Sequence, residues 1–168
     1  GTVGSGVVEI LEKNKDIIAK RVGQEISVKA VLDLRDFPGD PVEKVLVHDF
    51  DIVANDPEIS IVVETMGGVH PAYEFVKTCL ENGKSVCTSN KALVAAYGPE
   101  LLALAEEKNI NFLFEASVGG GIPIIRPLNY SLTAEKIDAI SGATITSKAV
   151  TGAMNSCLAY FQSLEGGN

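Results

Sequence analysis

Ile59-Ser60-Ile61-Val62-Val63-Glu64 is a short apolar run rich in β-branched residues, followed by Thr65-Met66-Gly67-Gly68 and by a helical stretch from His70 to Asn82 that Gly83 closes. A run of this length between turn residues reads as a buried strand. The same alternation extends outward in both directions. Ser85 to Thr88 reads as a short strand, Pro99 to Lys108 as a helix, Asn111 to Phe114 as another strand, and Ile26 to Leu34 as a strand on the N-terminal side. Asp40-Pro41 and Asn55-Asp56-Pro57 mark loops or helix ends. Strands alternating with helices predict an α/β chain with a parallel sheet, whose ligand crevice lies at the carboxyl ends of the strands.

Three of those ends carry residues suited to chemistry. Paired glycines, Gly67 and Gly68, follow the first; Thr88-Ser89-Asn90-Lys91 follows the second; Glu115-Ala116-Ser117-Val118-Gly119-Gly120-Gly121-Ile122-Pro123 follows the third. One such end is ordinary turn chemistry. Three together favour a crevice.

Gly1-Thr2-Val3-Gly4-Ser5-Gly6 precedes apolar residues at helical spacing, Val7, Val8, Ile10, Leu11, Ile17 and Ile18, set among charged ones. It reads either as a flexible Gly-rich leader or, favoured by the helical pattern behind it, as the tail of a G-x-G-x-x-G loop, in which backbone N–H groups and a helix N-terminus meet a cofactor pyrophosphate. The expected fold is therefore a Rossmann-like parallel sheet with helices on both faces, lacking the first strand, plus a C-terminal helix. Its exposed sheet edges would need a cover, either Lys136 to Ile140 or a second subunit of a homo-oligomer.

The 168 residues are 46% hydrophobic and 21% charged, as in a globular protein with one sizeable core. A net charge of -8 argues against general nucleic-acid affinity, which needs a basic face. No apolar run is long enough for a membrane span and no signal peptide is evident, so cytoplasmic location is the default expectation. Cys79, Cys87 and Cys157 lack the spacing of a metal or disulfide framework and read as buried or incidental thiols. His48 and His70 read as surface or capping residues.

From Gly1 to about Gly142 the chain resembles the N-terminal, nucleotide-binding part of homoserine dehydrogenase. The stretches that carry the likeness are GTVGSGVVEIL, VVETMGGVHPAYEFVKTCLENGKSVCTSNKALVAAYGPELLALAEEK and FLFEASVGGGIPIIRPL. The resemblance implies NAD(P)-dependent interconversion of aspartate semialdehyde and homoserine, a hydride transfer on a small-molecule substrate towards threonine and methionine. It implies pyrophosphate contacts at Gly1, Thr2, Val3 and Gly4, and ribose or nicotinamide contacts at Gly67, Gly68, Thr88, Ser89 and Asn90. Lys91 takes the place of the family's NKA lysine, where nicotinamide and substrate meet. A buried lysine there could donate a hydrogen bond or proton to the carbonyl oxygen that receives hydride; read without the family, Lys91 is a solvated lysine starting a helix.

Glu115, Val118, Gly120 and Ile122 match the family's site for a sodium-type cation, one carboxylate with backbone carbonyls; read without the family, Glu115 simply caps the following turn. Cofactor choice turns on Asp33-Leu34-Arg35-Asp36. An acidic residue at that place holds the ribose 2′-hydroxyl of NAD, and an arginine accepts the 2′-phosphate of NADP. Arg35 matches the family's basic position and favours NADP, while Asp33 and Asp36 keep NAD in play.

Beyond Gly142 the sequence departs from the family's asparagine- and threonine-rich turn, and counterparts of the homoserine-binding acidic residues and second lysine are not evident. The division expected is a dinucleotide-binding domain over 1–135 and a strand, turn and helix over 136–168, catalytically incomplete as a single chain. Asp138-Ala139-Ile140-Ser141-Gly142-Ala143-Thr144 and its continuation resemble the flavinylation motif of FMN-binding subunits in Rnf and Nqr complexes. That likeness implies an alternative, an electron-transfer module carrying FMN on Thr144. The plain reading of the same stretch is a turn and a helix capped by Thr146 or Ser147, with Val150, Ala153, Met154, Cys157, Leu158 and Phe161 on its apolar face.

Overall fold

The structure is a computed structural model that describes residues 1–125. The chain divides into two compact units, Gly1–Ile59 and Ser60–Asn168.

The first unit opens with α1 (Thr2–Lys13) and α2 (Lys15–Val22), which part at Asn14. There the Asn14 side chain donates to the Ile10 carbonyl at 3.0 Å, the local competition for backbone that asparagine offers in a helix. Neither helix contains a buried residue, and Val3, Ile10, Ile17 and Val22 are each more than half exposed. β1 (Val31–Leu32) pairs in parallel with β2 (Leu46–Val47), in the register Val31 to Leu46 and Leu32 to Val47. The strand expected over Ile26 to Leu34 is thus reduced to two ladder residues, because its partner is equally short. A 3-10 turn over Pro41–Val45 leads into β2; Asp40 caps it through the Val42 N–H, with Pro41 where a missing N–H costs nothing. α3 (Phe50–Asn55) is capped by Asp49 and supplies Val53 and Ala54, the only buried hydrophobic residues of this unit among the described residues.

The second unit is a run of strand and helix: β3 (Ile61–Glu64), α4 (Ala72–Glu81), β4 (Ser85–Thr88), α5 (Lys91–Glu107), β5 (Phe112–Leu113) and α6 (Glu115–Val118). The strands are parallel in the order β3-β4-β5, with Val63 opposite Cys87 and Cys87 opposite Leu113. α4 and α5 pack on each other and on the sheet, and the core between them holds Val76, Cys79, Leu80, Val86, Leu93, Val94, Leu101 and Phe112. Burial pushes the Cys79 thiol up to about 11, so it is inert at neutral pH. Ile61, Val63 and Leu113, on the alternate face, are 52%, 44% and 55% exposed. β3 is therefore not the fully buried strand its composition predicts: period-2 alternation sends only Val62 and Glu64 towards the helices.

Both long helices end in the same motif. Gly83 (φ +77°) and Asn109 (φ +54°) adopt the left-handed conformation. The paired return bonds, Gly83 N–H to Leu80 O with Lys84 N–H to Cys79 O, and Asn109 N–H to Glu106 O with Ile110 N–H to Ala105 O, are Schellman caps. α5 starts eight residues before the Pro99 expected to open it. Proline prefers a helix's first turn, but Leu93 and Val94 on one side of Pro99 and Leu101 and Ala105 on the other all lie in the core. Their packing outweighs the lost hydrogen bond.

Candidate functional site

The carboxyl ends of β3 and β4 are joined by buried polar groups. Glu64, at 5% exposure, ends β3; its Oε1 accepts the Met66 N–H at 2.6 Å and its Oε2 the Thr88 hydroxyl at 2.5 Å. Ser89 N–H donates to the Glu64 carbonyl at 3.1 Å. Thr88 Oγ1 accepts the Asn90 N–H at 2.9 Å, and the Ser117 hydroxyl donates to the Thr88 carbonyl at 2.9 Å. Asn90 then works in two directions. Its Oδ1 caps α5 by accepting the Leu93 N–H at 3.1 Å, and its Nδ2 donates to Gly68 O at 2.6 Å. Gly68 has φ +78°, a conformation that strains any side-chain-bearing residue.

Above this network lies an accessible rim. Gly67, Gly68 and Lys91 are exposed and Ser89 is half-buried, whereas Thr88 and Asn90 are buried and engaged within the protein. The residues expected to touch a cofactor thus fall into a layer that faces solvent and a layer that holds it in place. Of the two readings of Lys91, buried beside the nicotinamide or solvated at a helix start, the structure has the solvated one. Lys91 is the first residue of α5, exposed, and among the described residues nothing pairs with its ammonium. A cation at a helix N-terminus gains nothing from the macrodipole, and Lys91 stays in solvent. Glu64 is not among the residues expected at the site, because a carboxylate closing a strand reads as solvated; only its register opposite Thr88, a tertiary feature, brings it there.

Glu115 receives the N–H groups of Ile124 and Ile125 on one oxygen, the second at 2.8 Å. Donors of this kind suit a turn-capping carboxylate. Val118 is half-buried, Gly120 exposed and Ile122 68% exposed. The described bonds agree with the turn cap.

In the first unit, Gly1 caps α1 and Thr2, Val3 and Gly4 form its first turn, all but Gly4 exposed. Arg35 grips its own neighbour: Nε and Nη2 donate to the two Asp33 oxygens at 3.0 and 2.9 Å, and the Arg35 N–H adds a third bond at 3.0 Å. These bonds hold the Asp33 carboxyl well below the usual carboxylate range. The guanidinium carbon lies 5.4 Å from the Phe37 ring centre. His48 Nδ1 lies 2.7 Å from the Asp33 carbonyl and Nε2 3.1 Å from Asp36, and His70 Nδ1 lies 2.7 Å from Glu74. Both histidines are exposed, in the surface roles expected of them. Among the described residues no group of three or more His, Cys, Asp and Glu is placed to hold a metal, and no helix is long and apolar enough to cross a membrane. Thr144 and the segment 136–168 lie outside the described residues.

Consecutive parallel strands joined by helices, with small, polar and cationic residues at their carboxyl ends, define a Rossmann-like α/β nucleotide-binding domain. Residues 1–115 match the family described as homoserine dehydrogenase, NAD binding domain, and the chain belongs to that family. It is 43% identical over 143 residues to the homoserine dehydrogenase of Pseudomonas aeruginosa, covering 84% of this chain and 33% of that protein. The Mycobacterium bovis enzyme is 38% identical over 97% of this chain and 37% of its own length, so the likeness runs past Gly142, beyond the motifs that carry it in the sequence. Among solved structures, a homoserine dehydrogenase from Thiobacillus denitrificans superposes with a TM-score of 0.69 at 43% identity, covering 81% of this chain and 32% of that one. A hyperthermophilic archaeal homoserine dehydrogenase in complex with NADPH gives 0.65 at 25% identity, covering 94% and 59%. The chain spans about a third of the length of the curated relatives it matches.

Proposed function

We propose that this NAD-binding domain serves NAD(P)-linked hydride transfer between aspartate semialdehyde and homoserine, a cytoplasmic step of amino-acid biosynthesis. The observation that carries the reading is the layered rim: Gly67, Gly68, Ser89 and Lys91 open to solvent over a fully bonded Glu64–Thr88–Asn90 floor. When bound, the nicotinamide supplies or accepts the hydride. The two glycines let backbone approach it closely, and Ser89 offers a hydroxyl beside them. Lys91 stabilises the carbonyl oxygen as negative charge develops there and delivers the proton in the direction of reduction.

Arg35 is the group that selects NADP. Its fork to Asp33 occupies one edge of the guanidinium and leaves the other for a 2′-phosphate, while it takes from Asp33 much of its capacity to accept a ribose hydroxyl. Calorimetric titration with both dinucleotides tests this: NADP should bind more tightly than NAD, and the reverse order would overturn the assignment. In a steady-state assay the chain by itself should oxidise homoserine undetectably or very slowly, since one lysine cannot replace a substrate-positioning surface. Robust turnover abolished by Lys91→Ala would show instead that the 168 residues suffice.

A further inference from the structure

Glu64 is a buried carboxylate with no cation against it: among the described residues no lysine, arginine or histidine forms an ion pair with it. Removing such a group from water is costly and is tolerated where strong donors converge on it. Met66 N–H and the Thr88 hydroxyl do so, one on each oxygen. Thr88 passes the constraint to Asn90, and Asn90 returns it to Gly68 O. The chain of bonds therefore starts and finishes on one turn, 65–68. Among the described residues no other side-chain hydrogen bond reaches that turn. An added Cβ would meet nothing within 4 Å at Gly67, and only the His70 carbonyl at 4.0 Å at Gly68. The two glycines bring no side-chain packing of their own, and the bonds at Met66 N–H and Gly68 O hold the turn that carries them. An apolar side chain would fill the Glu64 position at less cost, so filling space does not explain the charge.

We propose that Glu64 is a positioning residue: through Met66 and the Thr88–Asn90 pair it sets the Gly67–Gly68 turn against the first turn of α5, and so fixes the backbone of the rim relative to Lys91. This inference rests on the NAD(P) reading of the rim. Glu64 touches neither cofactor nor substrate; it acts on the nicotinamide side alone. Loss of its bonds should weaken a whole dinucleotide and spare a ligand that lacks the nicotinamide half.

Calorimetry on the full chain with NADPH and with adenosine 2′,5′-bisphosphate separates the two. Glu64→Gln and Thr88→Val should each raise the NADPH Kd about tenfold while the bisphosphate Kd stays within about twofold, and Thr88→Ser should restore NADPH binding. An unchanged NADPH Kd in both variants overturns the proposal. So does a parallel loss of both ligands, the mark of general destabilisation. If the wild-type chain binds neither ligand, the cofactor reading fails first, and amide exchange then decides the positioning: faster exchange at Met66 and Asn90 in Glu64→Gln upholds it, and unchanged protection overturns it.

Discussion

The two units differ in what holds them. The second has a core shared by two long helices and three consecutive strands, with Leu80, Leu93 and Leu101 fully buried. The first buries Val53 and Ala54 and no residue of α1 or α2. Its helices rest on local devices instead: Lys13 pairs with Glu9, Lys15 with Glu25, and Gly23 ends α2 in the left-handed conformation. Exposed pairs of this kind add little stability. A helix can thus be well formed in its backbone and still contribute almost nothing to cooperative unfolding.

The largest expected contrast follows directly. Leu80→Ala or Leu101→Ala should cost about 3 kcal/mol in urea unfolding, through lost burial and the cavity left behind. Ile10→Ala, 60% exposed on α1, should change stability by less than about 0.5 kcal/mol. A cost for Ile10→Ala near that of Leu80→Ala would break the contrast, because α1 would then bury in solution a face that the structure leaves in water.

A finer test uses the same cap geometry on each side. Asn109→Ala removes a residue that tolerates the left-handed conformation and should cost about 1 kcal/mol of global stability, with Asn109→Gly neutral or stabilising. Gly23→Ala meets the same conformational strain at the end of α2 but should mainly fray that helix. Thermal unfolding followed by backbone dichroism reads both, and equal shifts in midpoint would show that the units unfold together.

The smallest effect belongs to acid. Arg35 keeps the Asp33 carboxyl below its ordinary range in the folded protein, so on acidification the unfolded chain takes up that proton first. The pair's stabilisation is present above the ordinary carboxylate range and is lost as pH falls through it and below. Asp33→Asn should slightly flatten the acid side of the stability profile. An unchanged profile would show that this exposed pair contributes nothing measurable.

What was legible in the sequence follows the same division. β4 was read to the residue, and the helix ending before Gly83 nearly so, because their apolar periodicity and their end signals agree. Leu46–Val47 and Phe50–Asn55 went unread: a ladder of two residues and a helix of six are shorter than the periods that reveal them. Pro99 misplaced the start of α5 because a local preference yielded to core packing. Of the rim, Gly67, Gly68, Ser89 and Lys91 were visible as small and polar residues at strand ends, while their division into a wet layer and a bonded floor was not. That division depends on the register pairing Glu64 with Thr88, which arises from tertiary structure.

Tyr73 on α4 and Tyr97 on α5 stack with ring centres 4.0 Å apart and 27° between planes, and the Tyr73 hydroxyl donates to Glu100 at 2.6 Å. The chain has no tryptophan and four tyrosines in all. Its near-ultraviolet optical activity therefore comes from few rings, and two of them are locked together across the seam between the long helices. That gives the second unit a built-in optical gauge: parting of α4 from α5 unstacks the pair and can be followed without any label, on a background that indole would otherwise dominate.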